Sequence, residues 1–231
     1  ILAGHPDTVP PHPGDERADV RGDLLTGVGS ADMKGGLAVM LALAETVAEP
    51  AVDLTFVFYA REEVASAESG LEELFVHRPD LLVGDAAILG EPTGGVVEAG
   101  CQGSVRVRVA LGGARAHTAR PWMGRNAIHR LGELLAVVAA VPERRPVLEG
   151  CEYREALQAV AVEGGVATNV VPDHAAVVLN HRFAPDRDAA AAIAWLEELL
   201  AGVLEPGDEI EVLDVAEAAV DIDTGETLLA R

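Results

Sequence analysis

The chain has 231 residues, a length that suits one large domain or two ordinary ones. Its hydrophobic fraction of 49% is sufficient for a buried core and excludes a disordered or collagen-like chain. The formal net charge of −21 argues against nucleic acid and anionic membrane surfaces as partners, because their phosphate groups would be repelled.

Cysteine content and hydropathy indicate a cytoplasmic protein. Cys101 and Cys151 are too few for a disulfide framework, so we expect a reduced setting. No apolar run has the length of a membrane span, and no signal peptide is recognisable. The chain opens within an apolar segment that has no start methionine, and we expect it to be a fragment that lacks both ends of its parent.

The first half of the chain alternates predicted strands with predicted helices. Apolar runs predict buried strands at residues 1–4, 54–59 and 86–89. Helical periodicity predicts helices at residues 34–48 and 67–76. Strands that alternate with helices predict an α/β domain, in which a mostly parallel sheet is flanked by helices.

The pattern changes after Pro92. Residues 104–111, SVRVRVAL, alternate between apolar and polar side chains and predict a half-buried strand. A helix, two strands, a helix and a strand are predicted to follow at residues 125–141, 159–163, 175–183, 188–204 and 209–215. This β-α-β-β-α-β order is typical of an α+β ferredoxin-like domain. We therefore predict a catalytic domain at 1–99, an inserted domain at 100–215, and the start of a return to the first domain at 216–231.

One histidine and several acidic residues lie where the predicted strands of the first domain end, and a further candidate, Asp32, lies in the Gly-rich turn before the first predicted helix. Ligands of open α/β sheets bind outside the carboxyl ends of strands, so these side chains are expected to converge on one cleft. Most of them recur at intervals of about 30 residues, the length of one strand-helix unit. The candidates are His5, Asp7, Asp32, Glu62, Glu63 and Glu91.

This residue set predicts a divalent metal site. Crowded carboxylates raise one another's pKa, and a cation removes that conflict. A histidine among carboxylates favours Zn²⁺ over Ca²⁺, which prefers oxygen ligands alone. Asp7 is expected to accept the second imidazole N–H of His5. Glu62 and Glu63 would face opposite sides if their strand continued, so we expect one to bind metal and the other to handle a proton.

Each candidate also has an ordinary structural explanation. Asp32 occupies a position typical of a helix N-cap. The pair Glu62 and Glu63 is typical of a solvated acidic surface, His5 of a hydrogen-bonded buried imidazole, and Glu91 of the start of a loop. Their shared placement at one predicted sheet edge favours a common site over these separate explanations.

The motifs GHPDTVP, GVGSADMKGG, REE and LGEPT occur in this order in the first domain. They resemble the co-catalytic metallopeptidase family of aminoacylases, acetylornithine deacetylases and succinyl-diaminopimelate desuccinylases, and the resemblance extends to about Val215. EAGCQGSVRVRV and GGVATNVVPDHAAVVLNHRFAPDR are most similar to the desuccinylases of high-GC Gram-positive bacteria. The resemblance implies hydrolysis of N-succinyl-LL-2,6-diaminopimelate to succinate and LL-2,6-diaminopimelate. Acetylornithine or another acylated amino acid is the alternative substrate, with the same chemistry.

The resemblance also implies a role for each candidate in the first domain. Two divalent metal ions would be bound, most favourably Zn²⁺, with Co²⁺ and Mn²⁺ as alternatives. His5 and Glu91 would bind the first ion, Glu63 the second, and Asp32 both. Glu62 would be the general base. The peptide bond that follows Asp32 would be cis.

The second domain is implied to be a lid that also forms a homodimer. His117 would reach the site of the partner subunit and support the oxyanion, while Asn169 and Arg182 would hold the substrate. The family's second metal needs a further histidine in the closing part of the catalytic domain, and none follows His181. We therefore expect an incomplete second metal site and little or no activity in this fragment. A non-catalytic dimeric relative is the alternative from another functional class.

Overall fold

The computed structural model describes residues 1–14, 17–96, 98, 100–148 and 150–218. The chain divides into two compact units, Ile1–Glu98 and Ala99–Arg231. The return to the first domain that the sequence predicts at 216–231 lies outside the described residues beyond residue 218. None of the helices in the described part of the chain combines the length and apolar character needed to cross a bilayer.

The first unit is an α/β unit built on a small parallel sheet. Its elements are β1 Leu2–Gly4, β2 Asp19–Arg21, β3 Leu24–Thr26, α1 Gly35–Thr46, β4 Phe56–Phe58, α2 Gly70–His77 and β5 Ile88–Leu89. The sheet order is β4-β1-β5, and both pairings are parallel. This arrangement confirms the predicted parallel sheet with intervening helices. The strands β2 and β3 form a separate antiparallel hairpin.

The strands of this sheet are shorter and more exposed than predicted. In the described part of the unit, the buried apolar cluster consists of Ala3, Val57 and Tyr59. Ile88 is 57% exposed and Leu89 is 51% exposed, so the prediction of a buried third strand is wrong. Among the described residues β5 pairs only with β1 and forms an edge of the sheet, which leaves its apolar side chains uncovered.

The second unit contains a four-stranded antiparallel sheet. Its elements are β6 Gly103–Gly112, β7 Ala116–His117, α3 Ala127–Ala139, β8 Val147–Leu148, β9 Cys151–Glu152, β10 Ala156–Gly164, β11 Val170–Val171, β12 His174–Phe183, α4 Ala189–Leu200 and β13 Glu209–Ala216. The order in the main sheet is β10-β12-β6-β13. β7 pairs with β11, and β8 pairs with β9, in two short ribbons.

Two capped helices cover one face of this sheet. The Asn126 side chain accepts hydrogen bonds from the first turn of α3, and the Asp188 side chain caps α4 in the same way. Alternate residues of β6, including Val105 and Val107, are fully buried and pack with both helices in one continuous core. The period-2 pattern of the sequence therefore has its physical origin in this one-sided burial.

Candidate metal centre

His5 is held at the end of β1 by two hydrogen bonds of defined direction. Its side chain is 1% exposed, and its backbone N–H donates to Met33 Sδ at 3.3 Å. On the ring, Nδ1 lies 3.1 Å from the backbone carbonyl oxygen of Asp7. A carbonyl oxygen can only accept, so Nδ1 carries a proton, and in the neutral imidazole Nε2 then presents a lone pair.

Asp7 is next to the imidazole as predicted, but a different atom accepts from it. The Asp7 backbone carbonyl accepts from Nδ1, whereas the Asp7 carboxylate oxygen Oδ1 is 3.6 Å from that nitrogen. The other carboxylate oxygen accepts the backbone N–H of Glu63 at 3.1 Å. Burial raises the pKa of Asp7, but the backbone N–H groups of Glu63 and Glu62 outweigh it and hold the pKa below its usual value.

Three carboxylates from separate segments surround His5 Nε2. Asp32 Oδ1 lies 3.3 Å from this nitrogen and Glu91 Oε1 lies 3.6 Å from it. Glu62 Oε2 is slightly further away, at 3.9 Å. For His5, Glu62 and Glu91 the parallel order β4-β1-β5 produces this convergence, because the segments that follow the three strands begin at the same edge of the sheet. Asp32 comes instead from the turn Ser30–Lys34.

The carboxylates repel one another electrostatically. Burial raises the pKa of Glu91, and the charges of Asp32 and Glu62 raise it further, although His5 acts in the opposite direction. Burial also raises the pKa of Glu63, again with added repulsion from Glu62 and Asp32. Negative charge concentrated around a lone-pair nitrogen is the environment that a divalent cation stabilises.

The donor set fits a transition-metal ion. One ligand atom each from His5, Asp32 and Glu91 can be chosen so that all three lie within 4.8 Å of one another. One imidazole nitrogen and two carboxylate oxygens suit zinc, cobalt or manganese. Among the described residues, Glu63 is not part of this close group.

The predicted basis for separating Glu62 from Glu63 is wrong. β4 ends at Phe58, four residues before Glu62, so the two side chains are not alternate members of a strand. The chain turns at Arg61, whose φ of 65° lies in the left-handed region. After this turn Glu62 faces His5, while the backbone N–H of Glu63 holds the Asp7 carboxylate.

Asp32 lies in a kinked helical turn, Ser30–Lys34, that precedes α1. Its backbone angles, φ −113° and ψ 101°, are not helical, and the peptide bond to Met33 is cis, as the resemblance implied. The N-cap position of α1 is occupied by Lys34 rather than Asp32. The simple capping explanation therefore does not apply, and the Asp32 carboxylate is directed towards His5 Nε2.

In the second unit, His117 and Asn169 lie on facing segments of the chain, one register position apart. His117 is paired with Val170 between β7 and β11, and the backbone carbonyl of Asn169 accepts the Thr118 N–H at 3.1 Å. His117 Nδ1 accepts the backbone N–H of Ala119 at 3.1 Å. This bond leaves Nε2 as the protonated, donating nitrogen of a neutral ring.

Arg182 lies at the far end of the main sheet from this pair. It is exposed and opposite Ser104 in β6, whereas the ribbon of β7 and β11 adjoins the other end of β12, where His174 pairs with Gly112. Eight residues of strand span roughly 27 Å. The second unit therefore does not bring Arg182 next to His117 and Asn169.

Two residues that the sequence analysis did not single out contact the centre. The Tyr59 ring lies 6.2 Å from the His5 ring, and burial together with the charges of Glu62 and Glu91 raises the pKa of its hydroxyl to about 12. Met33 is fully buried behind His5. The sequence could have indicated both residues as neighbours of the site, because Tyr59 ends the apolar run 54–59 and Met33 lies within the motif GVGSADMKGG.

Comparison with known proteins identifies relatives over nearly the whole chain. Residues 1–223 match the family described as Peptidase family M20/M25/M40. Succinyl-diaminopimelate desuccinylase of Corynebacterium glutamicum (strain ATCC 13032) is 44% identical over 223 residues, which cover 95% of this chain and 60% of that protein. A Mycobacterium tuberculosis (strain H37Rv) protein, whose name assigns it the same activity, is 50% identical over 220 residues, which cover 95% and 61%. The chain thus spans about three fifths of these relatives' length.

Solved structures share the fold at low sequence identity. The di-peptidase Dug1p of Saccharomyces cerevisiae has a TM-score of 0.75 at 17% identity and covers 99% of this chain and 63% of its own. The M20 family metallo-carboxypeptidase Sso-CP2 of Sulfolobus solfataricus has a TM-score of 0.68 at 17% identity and covers 99% and 67%. Together with the match over residues 1–223, the motifs and the site show that this chain belongs to peptidase family M20/M25/M40.

Proposed function

We propose that this chain is part of a metal-dependent amidohydrolase that cleaves N-succinyl-LL-2,6-diaminopimelate into succinate and LL-2,6-diaminopimelate. The observation that carries this proposal is the convergence of Asp32, Glu62 and Glu91 on the lone-pair nitrogen of His5. The names of the relatives from Corynebacterium and Mycobacterium support the succinylated substrate.

The proposed cofactor is a pair of divalent ions, for which Zn²⁺ is the best match and Co²⁺ and Mn²⁺ are alternatives. His5 and Glu91 would hold the first ion, Asp32 would bridge both, and Glu63 would contribute to the second. The raised pKa of Glu63 supports this role, because a cation would relieve the repulsion from Glu62 and Asp32. Zinc in such a site polarises a carbonyl group and lowers the pKa of water.

Glu62 is the proposed general base. Its carboxylate is 3.9 Å from His5 Nε2 and 42% exposed, so it borders the site and remains open to water and substrate. Glu62 would take a proton from the attacking water and return it to the leaving amine nitrogen when the amide bond breaks. Asp7 would hold the loop that carries Glu62 and Glu63 through the backbone bond at 3.1 Å.

The second unit is proposed to be a ferredoxin-like lid that also forms a homodimer. His117 has the tautomer that this role requires, because Nδ1 accepts from Ala119 and Nε2 is left to donate to an oxyanion. Asn169, on the facing segment, would bind the same substrate. Arg182 is exposed at the other end of β12, and its guanidinium would bind a substrate carboxylate.

The proposed setting is a reducing, cytoplasmic one. Cys101 is exposed and Cys151 is partly exposed, and both are free thiols. Free, accessible cysteines are typical of proteins that are kept reduced.

The test is a comparison of kcat/KM for N-succinyl-LL-2,6-diaminopimelate and N-acetylornithine, made on the zinc-loaded protein expressed from its complete gene. We expect the succinylated substrate to be preferred at least about tenfold, because one hydrogen bond to a charged group contributes about 1.5–3 kcal/mol. Preference for the acetylated substrate would contradict the substrate assignment. Failure to hydrolyse any acylated amino acid would contradict the enzymatic proposal itself and favour a non-catalytic relative.

A further inference from the structure

We infer that Met33 is a positioning residue that holds the segments of the metal centre in register through a socket of three glycines. The glycine socket consists of Gly4, Gly36 and Gly90. Its occupant, the Met33 side chain, is 0% exposed. The inference rests on the proposed metal-binding function. It assigns to the Met33 thioether the role of holding the segments together, whereas the metal-binding side chains would contact the ion.

The Met33 methyl group packs against all three glycines, close to the positions that their side chains would occupy. A Cβ added to Gly4 would lie 2.3 Å from Met33 Cε, and one added to Gly90 would lie 3.0 Å from it. At Gly36 the corresponding distance is 3.3 Å. The contact at Gly4 would be a direct overlap, and those at Gly90 and Gly36 would be tight, so the methyl group packs where the three glycines leave room for it. At Gly36 and Gly90 an added Cβ would also lie 2.3 Å from the Gly90 carbonyl oxygen and 2.6 Å from Met40 Cε, respectively.

Three residues of this assembly are direct sequence neighbours of the residues that surround the proposed metal. Gly4 precedes His5, Met33 follows Asp32, and Gly90 precedes Glu91. His5, Asp32 and Glu91 form the close group of candidate ligands. His5 and Glu91 are therefore each one residue from a glycine of the socket, and Asp32 is one residue from Met33 itself. A displacement of this side chain would be transmitted to all three ligands together.

A polar contact adds direction to this packing. The His5 backbone N–H donates to Met33 Sδ at 3.3 Å, and this bond fixes the chain at the point where β1 presents the imidazole. A thioether is the apolar side chain that can both fill an irregular gap and accept a weak hydrogen bond. Leucine would fill most of the volume but could not accept from His5.

The chain has three methionines, and the other two provide controls. Met40 in α1 is 4% exposed, and its Cε lies 2.6 Å from a Cβ added to Gly90, so it packs against the same segment. The hydrogen bond from His5, however, goes to Met33. Met123 is 66% exposed. A Met40→Ala variant thus removes buried volume of the same kind, and Met123→Ala removes an exposed side chain.

The experiment measures metal binding without substrate. Met33→Leu, Met33→Ala and the two controls are prepared in the protein expressed from its complete gene, and Zn²⁺ affinity is measured by competition with a chelator. We expect Met33→Ala to weaken Zn²⁺ binding about ten- to hundredfold, a loss typical of supporting residues around metal ligands. Met33→Leu should show a smaller loss, and both should alter the visible absorption spectrum of the Co²⁺-loaded protein, which reports ligand geometry.

The controls separate positioning from general packing. Met40→Ala should lower the unfolding temperature while Zn²⁺ affinity and the Co²⁺ spectrum stay close to those of the wild type. Equal losses of Zn²⁺ affinity in Met40→Ala and Met33→Ala would overturn the inference, as would wild-type affinity and spectrum in Met33→Leu. If Met33→Ala does not fold, Met33→Leu decides the question. A wild-type protein that binds zinc but hydrolyses nothing would contradict the proposed function alone.

Discussion

At the scale of single residues, one hydrogen bond orients the centre. The Asp7 carbonyl accepts from His5 Nδ1, which turns Nε2 towards the carboxylates of Asp32 and Glu91. The sequence placed Asp7 correctly beside His5, since only Pro6 separates them along the chain. It assigned the contact to the carboxylate, because backbone carbonyls carry no sequence signal.

The two adjacent glutamates should give opposite results when each is neutralised. Glu62→Gln should abolish turnover and leave bound zinc near the wild-type amount, because an amide cannot take a proton from water. Glu63→Gln should lower the zinc content, because the amide no longer offers a charged ligand to the second ion. Steady-state kinetics and metal analysis on the same preparations measure both effects.

Both glutamine variants keep the volume of the original side chain, so each serves as the control for the other. Glu63 also donates its backbone N–H to Asp7, and this bond is unaffected by either substitution. If Glu62→Gln retained most of the activity, Glu62 would not be the general base.

At the scale of elements, a buried ion pair ties together three segments of the second unit. Arg130, in the first turn of α3, contacts Asp208 with two of its nitrogens, at 2.9 and 2.5 Å. The same guanidinium donates to the carbonyls of Gly112 and Val203. The side chains of Arg130 and Asp208 are only 8% and 2% exposed. The pair therefore fixes α3 against the end of β6 and the turn before β13.

Breaking this pair should destabilise the second unit. Asp208→Asn removes the counter-ion that the buried Arg130 contacts most closely and leaves only Glu205 Oε2, 3.7 Å away, so we expect the free energy of unfolding to fall by about 3 kcal/mol. Denaturant unfolding followed by circular dichroism measures the change. Asp80→Asn is the matched control, because the pair of Arg78 and Asp80 is exposed and its loss should have no measurable effect. Equal stability of the two variants would contradict this role of the buried pair.

The same pair predicts a pH dependence of stability. The Arg130 guanidinium holds the pKa of Asp208 at about 2, against an ordinary value of 3.8. A carboxyl whose pKa is lowered by folding contributes stability that is complete above its unfolded-state pKa and is lost as the pH falls through the folded value. The difference in unfolding free energy between wild type and Asp208→Asn should therefore shrink as the pH is lowered from about 4 to about 2. A constant difference over that range would exclude this linkage.

At the scale of the whole molecule, the two units differ in how they are stabilised. Among the described residues, the core of the second unit contains seventeen buried residues, whereas the buried apolar cluster of the first contains three. The first unit also carries the repelling carboxylates around His5. A bound cation would offset that repulsion and stabilise the folded state by mass action.

Removal of metal should consequently affect one unit more than the other. Treatment with a chelator should increase amide hydrogen exchange in β1, β4 and β5, while exchange in β6 and β12 stays unchanged. An ion present at a hundred times its dissociation constant stabilises by about 2.7 kcal/mol, which sets the scale of the expected loss. Addition of Zn²⁺ should restore protection. Equal deprotection of both units would show that metal does not stabilise the first unit selectively.

The sequence by itself predicted the main strands and helices, and it predicted that polar side chains at the ends of the first strands would converge. Alternation in SVRVRVAL predicted β6, and polar residues directly after apolar runs predicted that His5 and Glu91 would meet. The first inference holds because side-chain period is a local property of a strand. The second holds because the carboxyl ends of parallel strands share one edge of a sheet, whatever their order.

The tertiary structure alone decided what depends on contacts between distant segments. The turn at Arg61 brought Glu62 rather than Glu63 next to His5, and the thioether of Met33 met three glycines from three segments. Backbone direction in a loop and the packing of one methyl group are set by atoms far away in sequence. No local pattern of residues encodes them, because they arise only when the sheet and α1 are already in contact.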